Sequence, residues 1–342
     1  MATRCGKQTV LYQTPPTVRA WASVAGKKES QGPLASCFDA VSDDSTFGQD
    51  SWEKGESELM RRTISILLKK AGRNPQEIDC IFAGDLLNQC VGSTFGLRDF
   101  GIPLFGIYGA CSTMSEGISL ASLLVEAGSV TRAAAATSSH FCTAERQYRY
   151  PLEYGGVRPP TAQWTATAAG AVLIEQGDEP PFVRAVTFGT VEDKGVTDQN
   201  NMGAAMAPAA AATLLQFFAD TQTGPDSFDA IVTGDLGLVG RELLYQLTEA
   251  EGVDIRRQHA DCGLMLFDRE RQDVHAGGSG CGCSASTLCA FFLPALADGR
   301  MQNILFLATG ALLSPTTVQQ KESIPSISHL SWLSHTKGES IC

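Results

Sequence analysis

What this chain has least of is positive charge. Its 26 lysines and arginines face 37 aspartates and glutamates, a net charge of -11 over 342 residues. That balance disfavours nucleic-acid binding and general attraction to an anionic lipid surface, so an anionic ligand has to be held by local groups. Long apolar runs are missing as well: the longest are broken by Glu126 and Arg132, or by Asp298 and Arg300. The opening, M-A-T-R-C-G-K-Q-T, lacks the apolar core of a signal peptide. The expectation is a soluble globular protein whose contact with a membrane, if any, goes through partners. Cysteine is plentiful, but eleven is an odd number and the positions are scattered from Cys5 to Cys342. That is unlike a secreted disulfide framework and points to a reducing cytosolic compartment. Cys281 and Cys283 form C-x-C without a second pair at metal-site spacing, and G-G-S-G at 277–280 is not followed by G-K-[ST]. Neither a zinc knuckle nor a phosphate loop is expected, and no metal or cofactor.

What is present is apolar content of 43%, enough for a large core, and a length that suits two ordinary domains or one two-lobed one. The chain is organised around Gly106 to Gly117, G-I-Y-G-A-C-S-T-M-S-E-G, with Cys111 at its centre. The run Ile102 to Ile107 reads as a buried strand and Ile118 to Ala127 as a helix. Cys111 is thus expected at a strand-to-helix turn, where unpaired amides and the helix dipole favour a thiolate or an anion. A small, buried, inert thiol is the other reading of the same residue.

Residues 1–50 read as a short strand near Thr9 to Tyr12 followed by irregular loop, and Trp52 to Ala71 as an amphipathic helix. Strands follow at Ile78 to Ala83, Arg132 to Thr137 and Ala168 to Ile174, and Gln176 to Pro181 is the best linker. It divides the chain into halves at 1–178 and 179–342. Beyond it the same order returns, with a helix from Ala207 to Phe218, strands at Phe228 to Thr233 and Ile304 to Thr309, and a helix opened by Gly280. I-D-C-I-F-A-G-D in the first half is mirrored by F-D-A-I-V-T-G-D in the second. Cys111 and Cys283 are separated by the same 172 positions (283 − 111) as Thr137 and Thr309 (309 − 137). Such a repeat predicts two facing βαβ-rich units with ligands at the carboxyl ends of their strands.

A duplicated unit with cysteine at the turn of copy one resembles the thiolase and ketoacyl synthase fold. A-G-D-L-L-N-Q at 83–89, G-A-C-S-T at 109–113, A-T-S-S-H at 136–140, R-Y-P-L-E-Y-G-G at 149–156, M-A-P-A-A-A at 206–211, G-G-S-G-C-G-C-S-A at 277–285 and A-T-G-A-L-L-S-P at 308–315 resemble, more narrowly, the stage V sporulation protein AD family. The resemblance spans about 6–330. It implies an α/β thiolase-like fold of two pseudo-repeated βαβαβαββ halves in a layered α-β-α-β-α sandwich. It also implies a protein that binds dipicolinic acid (pyridine-2,6-dicarboxylate), with or without calcium, for uptake into the developing spore. Membrane-embedded products of the same operon are the implied partners, at the cytosolic side of the spore inner membrane. A homodimer is implied too, paired across the strand after the Cys111 helix.

Condensing enzymes of this fold add a histidine and an asparagine or second histidine from copy two. Here those places read T-G-D-L, Thr233 to Leu236, and G-C-G-C-S, with Cys281 where the asparagine would stand. Without an acid-base partner for Cys111 the condensation loses its mechanism. The expected anion site combines Cys111, Ser112, Ser138, Ser139 and His140 for one carboxylate and Arg146 and Arg149 for the other. Asp85 is a candidate proton or calcium holder, or simply a cap, and Met114, Met202 and Met206 are candidates for a polarisable wall. His259, His275, His329 and His335 are expected to be solvated. The rival is an acyltransferase using Cys111 as nucleophile and His140 as base.

Overall fold

The computed structural model describes residues 2–149 and 155–338. Residues 150–154 of the R-Y-P-L-E-Y-G-G motif, and Cys342, lie outside the described residues. The chain opens with strands β1 (Thr3–Cys5), β2 (Thr9–Leu11), β3 (Thr17–Ala25) and β4 (Ala40–Val41) and helix α1 (Trp52–Ala71). Then come β5 (Cys80–Gly84), α2 (Val91–Leu97), β6 (Leu104–Gly106), α3 (Thr113–Glu126), β7 (Arg132–Ser139) and α4 (Phe141–Tyr148). Strands β8 (Trp164–Thr165) and β9 (Ala168–Glu175) complete the first half. The second half contains β10 (Phe182–Thr187), α5 (Met202–Thr221), β11 (Ala230–Thr233), α6 (Gly237–Ala250), β12 (His259–Asp261) and α7 (Cys262–Leu266). It ends with β13 (Gly278–Ser279), α8 (Cys281–Thr287), α9 (Leu293–Ala297), β14 (Asn303–Ala311), α10 (Pro315–Gln319) and β15 (Ser326–Ser334).

The two halves have one topology. In the first, β6, β5 and β7 run parallel, β9 pairs antiparallel with β7, and β3 antiparallel with β9. In the second, β12, β11 and β14 run parallel, β15 pairs antiparallel with β14, and β10 antiparallel with β15. The sheets meet where Phe182 pairs with Thr17. The hairpin β1–β2 adds to β10, so the start of the chain completes the second half's sheet.

Period-2 alternation sorts the strands between layers, because successive strand residues face opposite sides. Ile81, Ala83, Ala134 and Ala136 pack against Met60, Ile64 and Leu67 of α1, while Phe82, Ala133 and Ala135 face Met114, Ile118 and Val125 of α3. On the other sheet Phe306 and Ala308 share that middle core, whereas Leu305 and Leu307 pack against Met206, Leu214 and Phe217 of α5. The order is therefore helix, sheet, helix, sheet, helix, with both sheets covered on both faces. Helix α1 is bounded by Ser51, whose side chain accepts from Lys54 N, and by Gly72 in the left-handed region at φ +64°. Helix α5 is the one helix among the described residues long and apolar enough to cross a membrane, and most of it is buried in the core.

The structure corrects three readings. Residues 17–25 are not loop but the nine-residue strand β3, buried along almost its whole length, so it carries no polar alternation to betray it. The apolar run at 102–107 is an exposed edge: Leu104 is 38% and Phe105 53% exposed. The strand after the Cys111 helix, β7, is paired on both sides by β5 and β9 and offers no edge for a dimer.

Candidate functional site

Cys111 lies in a one-turn 3-10 segment, Ala110–Ser112, that runs into α3. The turn is locked by its own side chains. Ser112 Oγ donates to Gly109 O at 2.7 Å, Thr113 Oγ1 donates to Ala110 O at 2.7 Å, and Gly109 N donates to Thr113 Oγ1 at 3.2 Å. Ala110 is held at φ +49°, a left-handed conformation that costs an L residue about 1 kcal/mol or more. β14 presses against the turn so closely that a Cβ on Gly310 would stand 2.0 Å from Gly109 O.

The second half supplies the floor. Asp235, just past the end of β11, is fully buried and takes a hydrogen bond from the Cys111 thiol. Its Oδ2 accepts from Ser279 Oγ at 3.0 Å and Gly280 N at 2.8 Å, and its Oδ1 from Thr309 Oγ1 at 3.3 Å. Burial pushes this carboxyl up to about 7. Burial, followed by the neighbouring Asp235, pushes the Cys111 thiol well above its usual range. The turn was expected to favour a thiolate; desolvation and an adjacent acid outweigh the helix end, and the sulfur stays protonated. Cys281 is equally committed, its thiol donating to Ser138 O at 2.9 Å.

A cavity with about 50 Å³ of space for water opens beside Cys111. Tyr108, Tyr148, Arg149, Thr165 and Ser279 give it polar walls, and Met202, Met206 and Leu313 apolar ones. The two tyrosine hydroxyls are 2.9 Å apart, and Tyr148 also donates to Leu86 O. Arg149 pairs with Glu145 one turn back on α4, and its side chain is only 11% exposed.

Of the residues singled out from sequence, Cys111 and Arg149 share this cavity, as do Met202 and Met206. The others are elsewhere. Met114 is in the middle core. Ser138 Oγ reaches Glu56 at 3.4 Å, and Ser139 Oγ donates to Ala166 O at 2.7 Å while accepting Gly282 N at 3.1 Å. His140 caps α4: Nδ1 accepts from Cys142 N at 3.1 Å, which leaves Nε2–H to donate to Ser45 O at 2.6 Å. Both nitrogens are occupied, burial lowers the pKa, and the ring lines a separate basin with Lys28 and Trp164 rather than the Cys111 cavity. It has no free nitrogen with which to act as the base for Cys111. Arg146 pairs with Glu53 over the Trp52 ring on the outer surface. Asp85 is a buried cap that accepts Leu87 N, Ser93 N and Ser93 Oγ at 2.7–2.9 Å. Among the described residues no cluster of metal-ligating side chains is found.

Two histidines expected in solvent are largely buried. His259 lies between Thr233 Oγ1 at 2.9 Å and Tyr245 OH at 3.0 Å, and desolvation lowers it to about 3. His329 accepts Gly189 N at 3.2 Å and is lowered to about 4. Neither lines the Cys111 cavity. Sequence reasoning missed Tyr108, Tyr148 and the role of Asp235. Tyr108 precedes Cys111 by three positions, and Asp235 was marked by the repeated Gly-Asp.

A five-layered duplicated fold with cysteine at the head of a middle helix is the thiolase-like class. Two solved structures of that shape are similar over nearly the whole chain. Cerulenin-bound OleA of Xanthomonas campestris matches with TM-score 0.58 at 13% identity, covering 95% of this chain and 97% of that one. The 3-oxoacyl-[acyl-carrier-protein] synthase III of Aquifex aeolicus matches with TM-score 0.56 at 11% identity, covering 93% and 99%. Identities that low speak for fold alone. Residues 6–333 match the family Stage V sporulation protein AD. The Bacillus subtilis protein of that name is 45% identical over 324 residues, 95% of this chain and 96% of the relative. The chain belongs to the Stage V sporulation protein AD family.

Proposed function

We propose that the protein binds dipicolinate in the Cys111 cavity for its uptake into the developing spore, without condensing activity. The observation that carries this is the make-up of the cavity: a guanidinium and two phenol hydroxyls beside a protonated thiol, with no imidazole. Arg149 can take one ligand carboxylate bidentately by exchanging Glu145 for it; for the other, Thr165 offers a hydroxyl, and Tyr108 and Tyr148 can donate by exchanging their present acceptors, Tyr148 and Leu86 O. The unliganded space is smaller than the ligand, so Met202 and Met206, flexible and polarisable, have to rotate against the ring. A reaction through Cys111 would need a thiolate, which burial and Asp235 oppose.

In this reading the protein works at the cytosolic face of the spore inner membrane through membrane-embedded products of its operon, and calcium arrives with the ligand rather than in a site of its own. The exposed edge of β6 is the surface available for a homodimer. Calorimetry of the purified protein with dipicolinate should give micromolar or tighter binding, weakened about 10- to 100-fold in Arg149→Met and unchanged in Arg146→Met. Absence of heat with folded protein overturns the binding reading. An acyl adduct from acyl-CoA, seen by intact mass and lost in Cys111→Ala, overturns the lack of activity.

A further inference from the structure

We infer that the Cys111 cavity takes up its anionic ligand together with one proton from solvent, and that Asp235 holds that proton. The inference rests on the cavity being an anion site. Asp235 is separated from the cavity only by two of its lining residues, Cys111 and Ser279, both hydrogen-bonded to its carboxyl. A ligand carboxylate seated there faces, across the Cys111 and Ser279 side chains, a second carboxyl that is itself fully buried.

The groups around Asp235 leave it to settle its own charge. From the turn before α3 it meets the Cys111 thiol, from β13 and α8 Ser279, Gly280, Cys281 and Cys283, from β14 Thr309, and from β12 and α7 Asp261 and Cys262. Burial holds all four thiols well above their usual range, so they are neutral. Asp261 accepts Thr233 Oγ1, Leu236 N, Gly237 N and Leu264 N at 2.7–3.2 Å. That engages both of its oxygens and favours its charged form, although burial raises its pKa as well; its negative charge raises Asp235 further. Among the described residues none of the groups chiefly acting on Asp235 is a cation.

A buried carboxyl that faces a second negative charge resists ionisation, because taking up a proton costs less than the uncompensated repulsion. The empty protein therefore has Asp235 near half ionisation at neutral pH, and an arriving dianion raises its proton affinity further. The proton comes from water and forms an O–H bond on the Asp235 carboxyl. No covalent bond to the ligand forms. Raising the pH withdraws the proton and weakens the complex, and lowering it tightens the hold. The ligand's own carboxyls, ordinary acids with pKa near 4, remain ionised above pH 6. Glu29 and Glu56, which burial raises to about 7 and about 8, titrate in the same range but do not line this cavity.

The test is calorimetry of the full chain with sodium dipicolinate from pH 6 to pH 9. At pH 7.5 it is repeated in phosphate and in Tris, whose different ionisation enthalpies count protons. Expected is uptake of about three-quarters of a proton per ligand at pH 7.5, approaching one at pH 8.5, with Kd rising towards tenfold per pH unit above neutrality. Asp235→Asn should bind with no slope and no proton uptake. A wild-type Kd that is flat from pH 6 to pH 9 with no proton taken up overturns the coupling and leaves the anion site standing. An Asn variant that keeps the wild-type slope overturns Asp235 as the carrier. No heat at any pH overturns the anion site and the coupling together. If the variant does not fold, the wild-type proton count decides.

Discussion

The same dipeptide ends the equivalent strand in each half: Gly84-Asp85 after β5 and Gly234-Asp235 after β11. Asp85 takes its donors from Leu87 and Ser93, a few residues down the chain, and so closes its own loop onto α2. Asp235 takes its donors from Ser279, Gly280, Thr309 and, across the interface between the halves, Cys111. One aspartate is a local cap and the other joins the two copies around a cavity. Duplication gave each half the same buried acid; what it came to do depended on whose donors reached it.

That contrast can be broken by mutation. The largest loss is expected from Asp85→Ala, which strands two buried amides and a hydroxyl and should cost about 2–4 kcal/mol in urea unfolding. A loss under 1 kcal/mol would mean that the cap is dispensable. Asp235→Asn should act oppositely, by an amount that grows with pH. The folded carboxyl titrates near 7 against an ordinary 3.8, so the native state holds the extra proton between those values. The associated stability is intact at acid pH and gone above pH 7. The variant should therefore gain on wild type as pH rises from 4 to 8, by up to about 4 kcal/mol; parallel stability curves would refute the assignment. Glu56→Gln, which replaces the acid raised to about 8 by burial and the nearby Asp85, should show the same sign displaced to higher pH and reach full size only near pH 9. Smallest is the chemical readout. Iodoacetamide at pH 7.5 should label exposed Cys37 at least tenfold faster than Cys111, and equal rates by peptide mass mapping would show a thiolate that the geometry does not predict.

Much of the fold was legible because the repeat was written twice. The alanine-rich β7 reads as a strand although alanine is a poor strand former, and its counterpart β14, 172 positions on, repeats the same Ala-Thr ending. Strand β3 was missed because both its faces are covered, and the edge β6 was taken for buried because hydrophobicity alone does not say whether a neighbouring strand follows. The lining of the candidate cavity was legible at Cys111 and Arg149, one on a glycine-flanked turn and one near a helix end. It was misread at Ser138, Ser139 and His140, which share the end of β7 but point into the interior or towards another basin. Sequence position places a residue at a strand end; hydrogen bonds with residues far along the chain, such as that between Ser139 and Gly282, decide which way it faces.

The smallest sheet in the molecule bears on what the cavity admits. Strands β8 and β13 pair parallel, setting Thr165 beside Ser279, with Trp164 N bonded to Gly277 O and Ala166 N to Ser279 O, each at 2.8 Å. Prising these two walls apart means breaking main-chain bonds between the halves, whereas the thioethers of Met202 and Met206 swing aside by bond rotation. The cavity therefore has one wall fixed by the main chain of both halves and another made of side chains free to turn about their own bonds.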